Sequence, residues 1–211
     1  MGIIKTIADL SGFNKRFHKY GKDTIHHISA AISPVEAKVA YVGKIDDKGI
    51  LISKNNKKVF LKNLIGETAS KLFSGGQYIN FYLNPKNKHY WVTPSEGRFV
   101  YTQKNKGKAL PLLIGLENLL GIEMMSKAVK RNASIGSIFQ TKDFPIAMIA
   151  VGSLLVNKIH TDYKEKEHYE RGTPCGYFSL GSSMLLCFPK DLKISVKKED
   201  KVKIGQNIAY L

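Results

Sequence analysis

In Gly176-Tyr177-Phe178-Ser179-Leu180-Gly181-Ser182-Ser183-Met184-Leu185-Leu186-Cys187-Phe188, two β-forming runs face each other across a Gly-Ser bond. The residues after Ser183 are apolar and Pro189 follows, so no helix opens behind the serine and the segment reads as strand, turn, strand. A serine hydrolase of the Gly-x-Ser-x-Gly type needs a strand-to-helix elbow at this point, and that class is disfavoured. A hydroxyl in such a turn, with no side chain on the preceding residue, is instead placed where it could attack its own backbone.

Outward from this segment the pattern stays β-like. Short runs of β-branched or alternating character occur at 39–42, 50–53, 57–61, 77–83, 97–102, 134–140, 146–151, 154–159, 177–180, 184–188, 193–196 and 208–211, separated by Gly, Asp-Asp or Asn-Asn turns. One short helix is expected over 64–73, ending at Gly75-Gly76, and 110–130 is ambiguous. The polar segment 162–171 reads as an exposed loop leading into Gly176. The expected fold is mainly β (α+β), a barrel or sandwich of short strands with a few peripheral helices. The end of the chain, 202–209, is similar to the closing strands of biotinyl and lipoyl domains. No lysine stands at a hairpin tip of the carrier kind, so the similarity is one of β architecture only.

The chain has 211 residues, enough for one sizeable core, and its 43% apolar content is that of a folded protein. We divide it into an N-terminal basic and amphipathic segment, 1–31, and a domain over 32–211. Ile3, Ile4, Ile7 and Leu10 repeat at helical spacing, either packed on the domain or lying on a membrane. Lys and Arg number 33 against 17 acidic residues, a net charge of +16 spread along the chain. That excess is either a solvated surface or an attraction to an anionic one. No nucleic-acid-binding signature accompanies it, so nucleic acid is not expected as a partner. Two cysteines, Cys175 and Cys187, make neither a disulfide framework nor a metal site, which fits a reducing compartment. Neither a signal peptide nor a transmembrane helix is expected.

Two further segments carry chemistry-bearing residues. In Ser33-Pro34-Val35-Glu36 a carboxylate stands just before a strand, where a solvated side chain is the ordinary reading. In Leu83-Asn84-Pro85-Lys86-Asn87-Lys88-His89-Tyr90-Trp91-Val92-Thr93-Pro94 a histidine lies beside the only tryptophan, able to hold a carboxylate or move a proton, or merely packed. His18, His26, His27, His160 and His168 have no metal-ligand spacing, and no metal is expected.

Taken in order, these motifs and Gly176-x-Phe178-x-x-Gly181-Ser182 resemble the phosphatidylserine decarboxylases, pyruvoyl-dependent enzymes of phospholipid biosynthesis. The resemblance covers nearly all of 32–211, including Phe60-Leu61-Lys62-Asn63-Leu64, Val151-Gly152-Ser153-Leu154-Leu155-Val156 and Arg171-Gly172-Thr173-Pro174. It implies a zymogen in which Ser182 attacks the Gly181 carbonyl, giving a β chain of 1–181 and an α chain of 182–211 that stay together. The α chain would begin with a covalent pyruvoyl group derived from Ser182, the cofactor that takes up electrons as carbon dioxide leaves. His89 matches the first histidine of the family's His-x-x-His-x-Pro and is implied in orienting the substrate carboxylate or in proton transfer. Glu36 stands where the family's Ser-Pro-x-Asp-Gly has its acid and is implied in self-cleavage. The implied substrate is an anionic phospholipid, phosphatidylserine, and the implied location a peripheral one on the cytoplasmic face of a membrane. A homo-oligomer is left open. This chain departs from the family at Glu36-Ala37, at Val92 in place of the second histidine, and at Ser183, where threonine is common. The first two departures motivate the alternative of an unprocessed, inactive relative that binds anionic lipid.

Overall fold

Residues 23–25, 30–52, 58–84, 86–107, 129–152, 159–178, 182–189 and 192–211 are described by a computed structural model, and they are mainly β. The first half supplies β1 (Ala31–Ile32), β2 (Ala37–Lys44), the hairpin of β3 (Ile50–Ile52) and β4 (Lys58–Phe60), β5 (Gln77–Leu83), β6 (Tyr90–Val92) and β7 (Gly97–Asn105). The second supplies β8 (Ser134–Gln140), β9 (Pro145–Gly152), β10 (Ile159–Thr161), β11 (His168–Tyr169), β12 (Pro174–Phe178) and β13 (Ser182–Phe188). β14 (Lys193–Ile194), β15 (Lys201–Val202) and β16 (Asn207–Tyr210) end the chain.

An eight-stranded antiparallel sheet runs in the order β11-β7-β8-β9-β13-β5-β2-β15. β9 and β13 lie at its centre, and their unbroken apolar sequences follow from burial on both faces. Met148, Ala150, Met184, Leu186 and Phe188 enter one core, while Ala147, Ile149, Val151, Leu185 and Cys187 enter the other. Two three-stranded sheets, β1-β16-β14 and β10-β12-β6, contribute Ala31, Trp91, Cys175, Phe178, Ile208 and Ala209 to the first core and so cover that face. The β3-β4 hairpin and the helical segment cover the other through Leu51, Val59, Leu64, Ile65 and Phe73. The result is sandwich-like, as expected.

Several local expectations are corrected. The helix expected over 64–73 is broken into α1 (Lys62–Ile65), α2 (Glu67–Ser70) and the 3-10 turn Lys71–Phe73, because Gly66 takes φ 85°. The segment 162–171 is not simply an exposed loop: β11 pairs with β7, and the Tyr163 ring stacks on the buried Phe99 with centroids 3.6 Å apart. The strand expected at 177–180 begins earlier, as β12, and residues 179–180 lie outside the described residues. So do the amphipathic stripe of 3–10, most of 110–130, and 154–158. No helix among the described residues is long and apolar enough to cross a membrane.

Candidate active site

Ser182 opens the central strand β13, aligned with Leu83 of β5 on one side and Gly152 of β9 on the other. Alternation along β13 puts its side chain on the face of Met184 and Leu186, toward the core that holds Trp91 and Phe178. It is fully buried, and its Oγ has no hydrogen-bond partner among the described residues. Leaving a buried hydroxyl unsatisfied costs about 1–3 kcal/mol. Its neighbour Ser183 points to the opposite face. The Ser183 Oγ lies 2.8 Å from Asn80 Oδ1 and 2.7 Å from the Phe81 carbonyl, so this hydroxyl is already committed as a donor. Across the ladder, Asn132 Nδ2 donates to the Gly152 carbonyl at 2.7 Å and pins the residue that faces Ser182.

The segment preceding Ser182 is anchored to the histidine motif. β12 pairs with β6, and the Phe178 N–H donates to the His89 carbonyl at 2.7 Å. Gly176 is the glycine this contact requires: a Cβ there would meet Trp91 Cζ2 at 2.2 Å and the His160 carbonyl at 2.4 Å. With that space open, Trp91 packs on Phe178 at 4.6 Å between ring centroids. Gly181 itself lies outside the described residues. Its span is nonetheless bounded. The backbone leaves the His89 carbonyl at Phe178 and is back on the Leu83 ladder at Ser182, a reach of at most about 14 Å over four residues. His89 is joined to the same ladder by the turn from Leu83, the residue aligned with Ser182.

His89 is fully buried, with Nδ1 2.7 Å from the Asn87 carbonyl. A carbonyl only accepts, so Nδ1 carries the proton of this hydrogen bond. Glu36 is half-buried at the start of β2, and its Oε1 accepts from Asn87 Nδ2 at 2.9 Å. The Pro34 carbonyl accepts from the Val92 N–H at 3.0 Å, which ties the Ser33-Pro34 segment to β6. Glu36 and His89 therefore meet through Asn87, a residue to which the sequence reading gave no role. The spacing Asn84-Pro85-Lys86-Asn87 was the available signal: two asparagines able to close a turn on each other just before the histidine. Val92, at the position of the family's second histidine, is buried among Ile32, Tyr90 and Ile204 and offers no proton acceptor.

A pocket of about 450 Å³ opens beside these residues, lined by Asp23, Thr24, Glu36, Lys88, Lys203, Ile204 and Gln206. Lys88 is ion-paired with Asp23, whose other oxygen accepts from the Tyr90 hydroxyl. Burial pulls the Lys88 ammonium down, but the Asp23 hydrogen bond and the nearby Tyr90 and Asp23 charges outweigh it and raise its pKa. Cys175 and Cys187 are fully buried; desolvation pushes both thiols up, and neither is a competing nucleophile. Among the described residues no three His, Cys, Asp or Glu side chains converge as a metal site.

The family model described as phosphatidylserine decarboxylase matches residues 10–210. A phosphatidylserine decarboxylase proenzyme of Anoxybacillus flavithermus is 30% identical, over 88% of this chain and 69% of that protein. One from Coxiella burnetii is 27% identical over 88% of this chain and 72% of the relative, and one from Nitrosococcus oceani 26% identical over 94% and 71%.

Proposed function

The chain belongs to the phosphatidylserine decarboxylase family, and from that premise we propose that it is a self-processing proenzyme converting phosphatidylserine to phosphatidylethanolamine with a pyruvoyl group made from Ser182. The observation that carries the reading is the buried Ser182 hydroxyl, without a partner among the described residues, beside a Ser183 hydroxyl that is fully engaged. That environment fits a side chain destined to become a prosthetic group.

The Ser182 hydroxyl adds to the Gly181 carbonyl carbon, and its proton passes to Nε2 of His89. The Gly181–Ser182 C–N bond breaks, the departing nitrogen takes up the proton, and an ester remains. Loss of the Ser182 α-proton expels the Gly181 carboxylate together with Oγ and leaves a dehydroalanine. One water then releases ammonia and leaves a ketone at the head of 182–211. That ketone supplies the electron sink for decarboxylation of a bound amino acid headgroup. His89 serves afterwards as the proton-transfer group on the same side of the sheet, and Glu36 holds the turn that carries it.

Cutting before Ser182 would leave the α chain in place. β13 lies between β9 and β5, β15 pairs with β2, and β16 pairs with β1, so three strands of 182–211 are held by the β chain. The net charge of +16 suits peripheral attachment to the anionic cytoplasmic leaflet, each near-surface Lys or Arg contributing about 1 kcal/mol. Intact mass of the purified protein tests the first step. Two chains, 1–181 and a pyruvoyl-blocked 182–211, are expected to co-elute under native conditions and separate on denaturation. A single chain of 23.6 kDa would overturn the reading.

The buried valine at position 92 favours a second reading, a relative that keeps the fold and binds anionic lipid without processing. Release of carbon dioxide from labelled phosphatidylserine by the purified protein would exclude it.

A further inference from the structure

We propose that Asn87 is a positioning residue of this site, joining Glu36 to His89 and setting which imidazole nitrogen accepts the proton. All of its polar groups are in use. Its side-chain Nδ2 donates to Glu36 Oε1 at 2.9 Å, and its Oδ1 accepts from the Asn84 N–H at 2.9 Å. Its own N–H donates to the Asn84 carbonyl at 2.8 Å, and its carbonyl accepts from His89 Nδ1 at 2.7 Å. The Asn84 side chain completes the turn by accepting from the Lys86 N–H at 3.1 Å. The carbonyl that fixes the His89 tautomer is thus held by a side chain anchored at both ends. Glu36 acts through it rather than on the imidazole directly.

The residue type follows from this bonding. An amide gives one donor to the Glu36 carboxylate and one acceptor to the Asn84 N–H. Aspartate in its place would set two carboxylates against each other, and alanine would release the turn from both anchors.

The inference rests on the reading of Ser182 as self-cleaving, and one arm of its test is independent of that reading. In the full chain held intact by Ser182→Ala, with ¹⁵N-labelled histidine, His89 is expected to show a protonated Nδ1 and an unprotonated Nε2 at neutral pH. Adding Asn87→Ala should shift both nitrogens toward averaged tautomer values; unchanged shifts overturn the proposal. In the chain with Ser182 restored, Asn87→Ala should slow cleavage about tenfold, the usual effect of losing one well-placed bond. Asn87→Asp, which has nearly the same shape and so preserves the fold, should be at least as slow. Combining it with Glu36→Gln reverses donor and acceptor and should recover most of the lost rate, which a merely structural residue would not do. Cleavage at the unsubstituted rate in Asn87→Ala, or failure of the double variant to exceed Asn87→Asp, overturns the positioning role. A wild-type chain that never cleaves overturns the self-cleavage reading instead and leaves the tautomer measurement to decide for Asn87.

Discussion

The strand that presents Ser182 and the turn that presents His89 are held by different forces. All seven residues of β13 are buried, between two strands and under apolar layers on both faces. Each large side chain there contributes about 1.5–3 kcal/mol of burial, so the strand's place is over-determined. The turn 84–89 is polar and lies beside an open pocket, and single hydrogen bonds, each about 0.5–1.5 kcal/mol net, decide its shape. Ser182 is therefore positioned by bulk and His89 by a few bonds. Substitutions on the strand should register in stability, those on the turn in rate.

Ser182→Ala is expected to have the largest effect and to break that division in an informative way. In the proposed mechanism it removes both nucleophile and precursor, so processing and decarboxylation should fall to nothing. The hydroxyl has no partner among the described residues, so the melting temperature should hold or rise, since a buried unsatisfied group is removed. Intact mass and a thermal melt of the variant check both halves. A marked loss of stability would mean that the hydroxyl is bonded after all.

Next comes His89→Gln, which keeps a polar side chain but no group that titrates near neutrality. Removing a general base slows proton transfer by about 10²–10⁴-fold, so cleavage should fall at least a hundredfold, read from a time course of the two fragments. A loss under about fivefold would assign the base to another group. Gly176→Ala should act on the strand side. The new Cβ would sit 2.2 Å from Trp91, and such overpacking costs about 1–3 kcal/mol, measurable as a lower urea midpoint in the Ser182→Ala background.

The same division decides how much was legible in the sequence. Runs such as 146–151 and 184–188 are readable because burial on both faces makes them continuously apolar, and β5 and β8 fall where alternation and β-branching put them. β6 is missed because three residues between prolines carry no period. β1, β11 and β15 are missed because two-residue strands exist only through their partners. Gly66 divides the helix expected over 64–73 through a backbone angle that hydrophobic spacing does not encode. At the site, Gly181, Ser182, His89 and Glu36 stand in motifs and were named from them. The bridge at Asn87 joins residues 51 positions apart, and no local pattern announces a hydrogen bond of that range. Asn80 and Asn132, which hold Ser183 and Gly152, are polar residues in or beside apolar strands whose partners appear only when the strands are assembled.

Ser183→Ala carries the smallest expected effect and the sharpest contrast. Two adjacent serines are fully buried on one strand, and their backbone positions differ by a single register step. Alternation sends them to opposite faces, one toward Trp91 and Phe178, the other onto Asn80 and the Phe81 carbonyl. Removing the second hydroxyl leaves the Asn80 side chain without that donor and should cost about 1–2 kcal/mol of stability. Cleavage at the Gly181–Ser182 bond should continue within about fivefold of the wild-type rate, a change of about 1 kcal/mol in the barrier. Thermal melts in the Ser182→Ala background and fragment time courses in the cleavable chain measure the two quantities separately. If Ser183→Ala stopped cleavage without lowering stability, the hydroxyl on the other face would be the reacting one, and the face that presents the nucleophile would have to be reassigned.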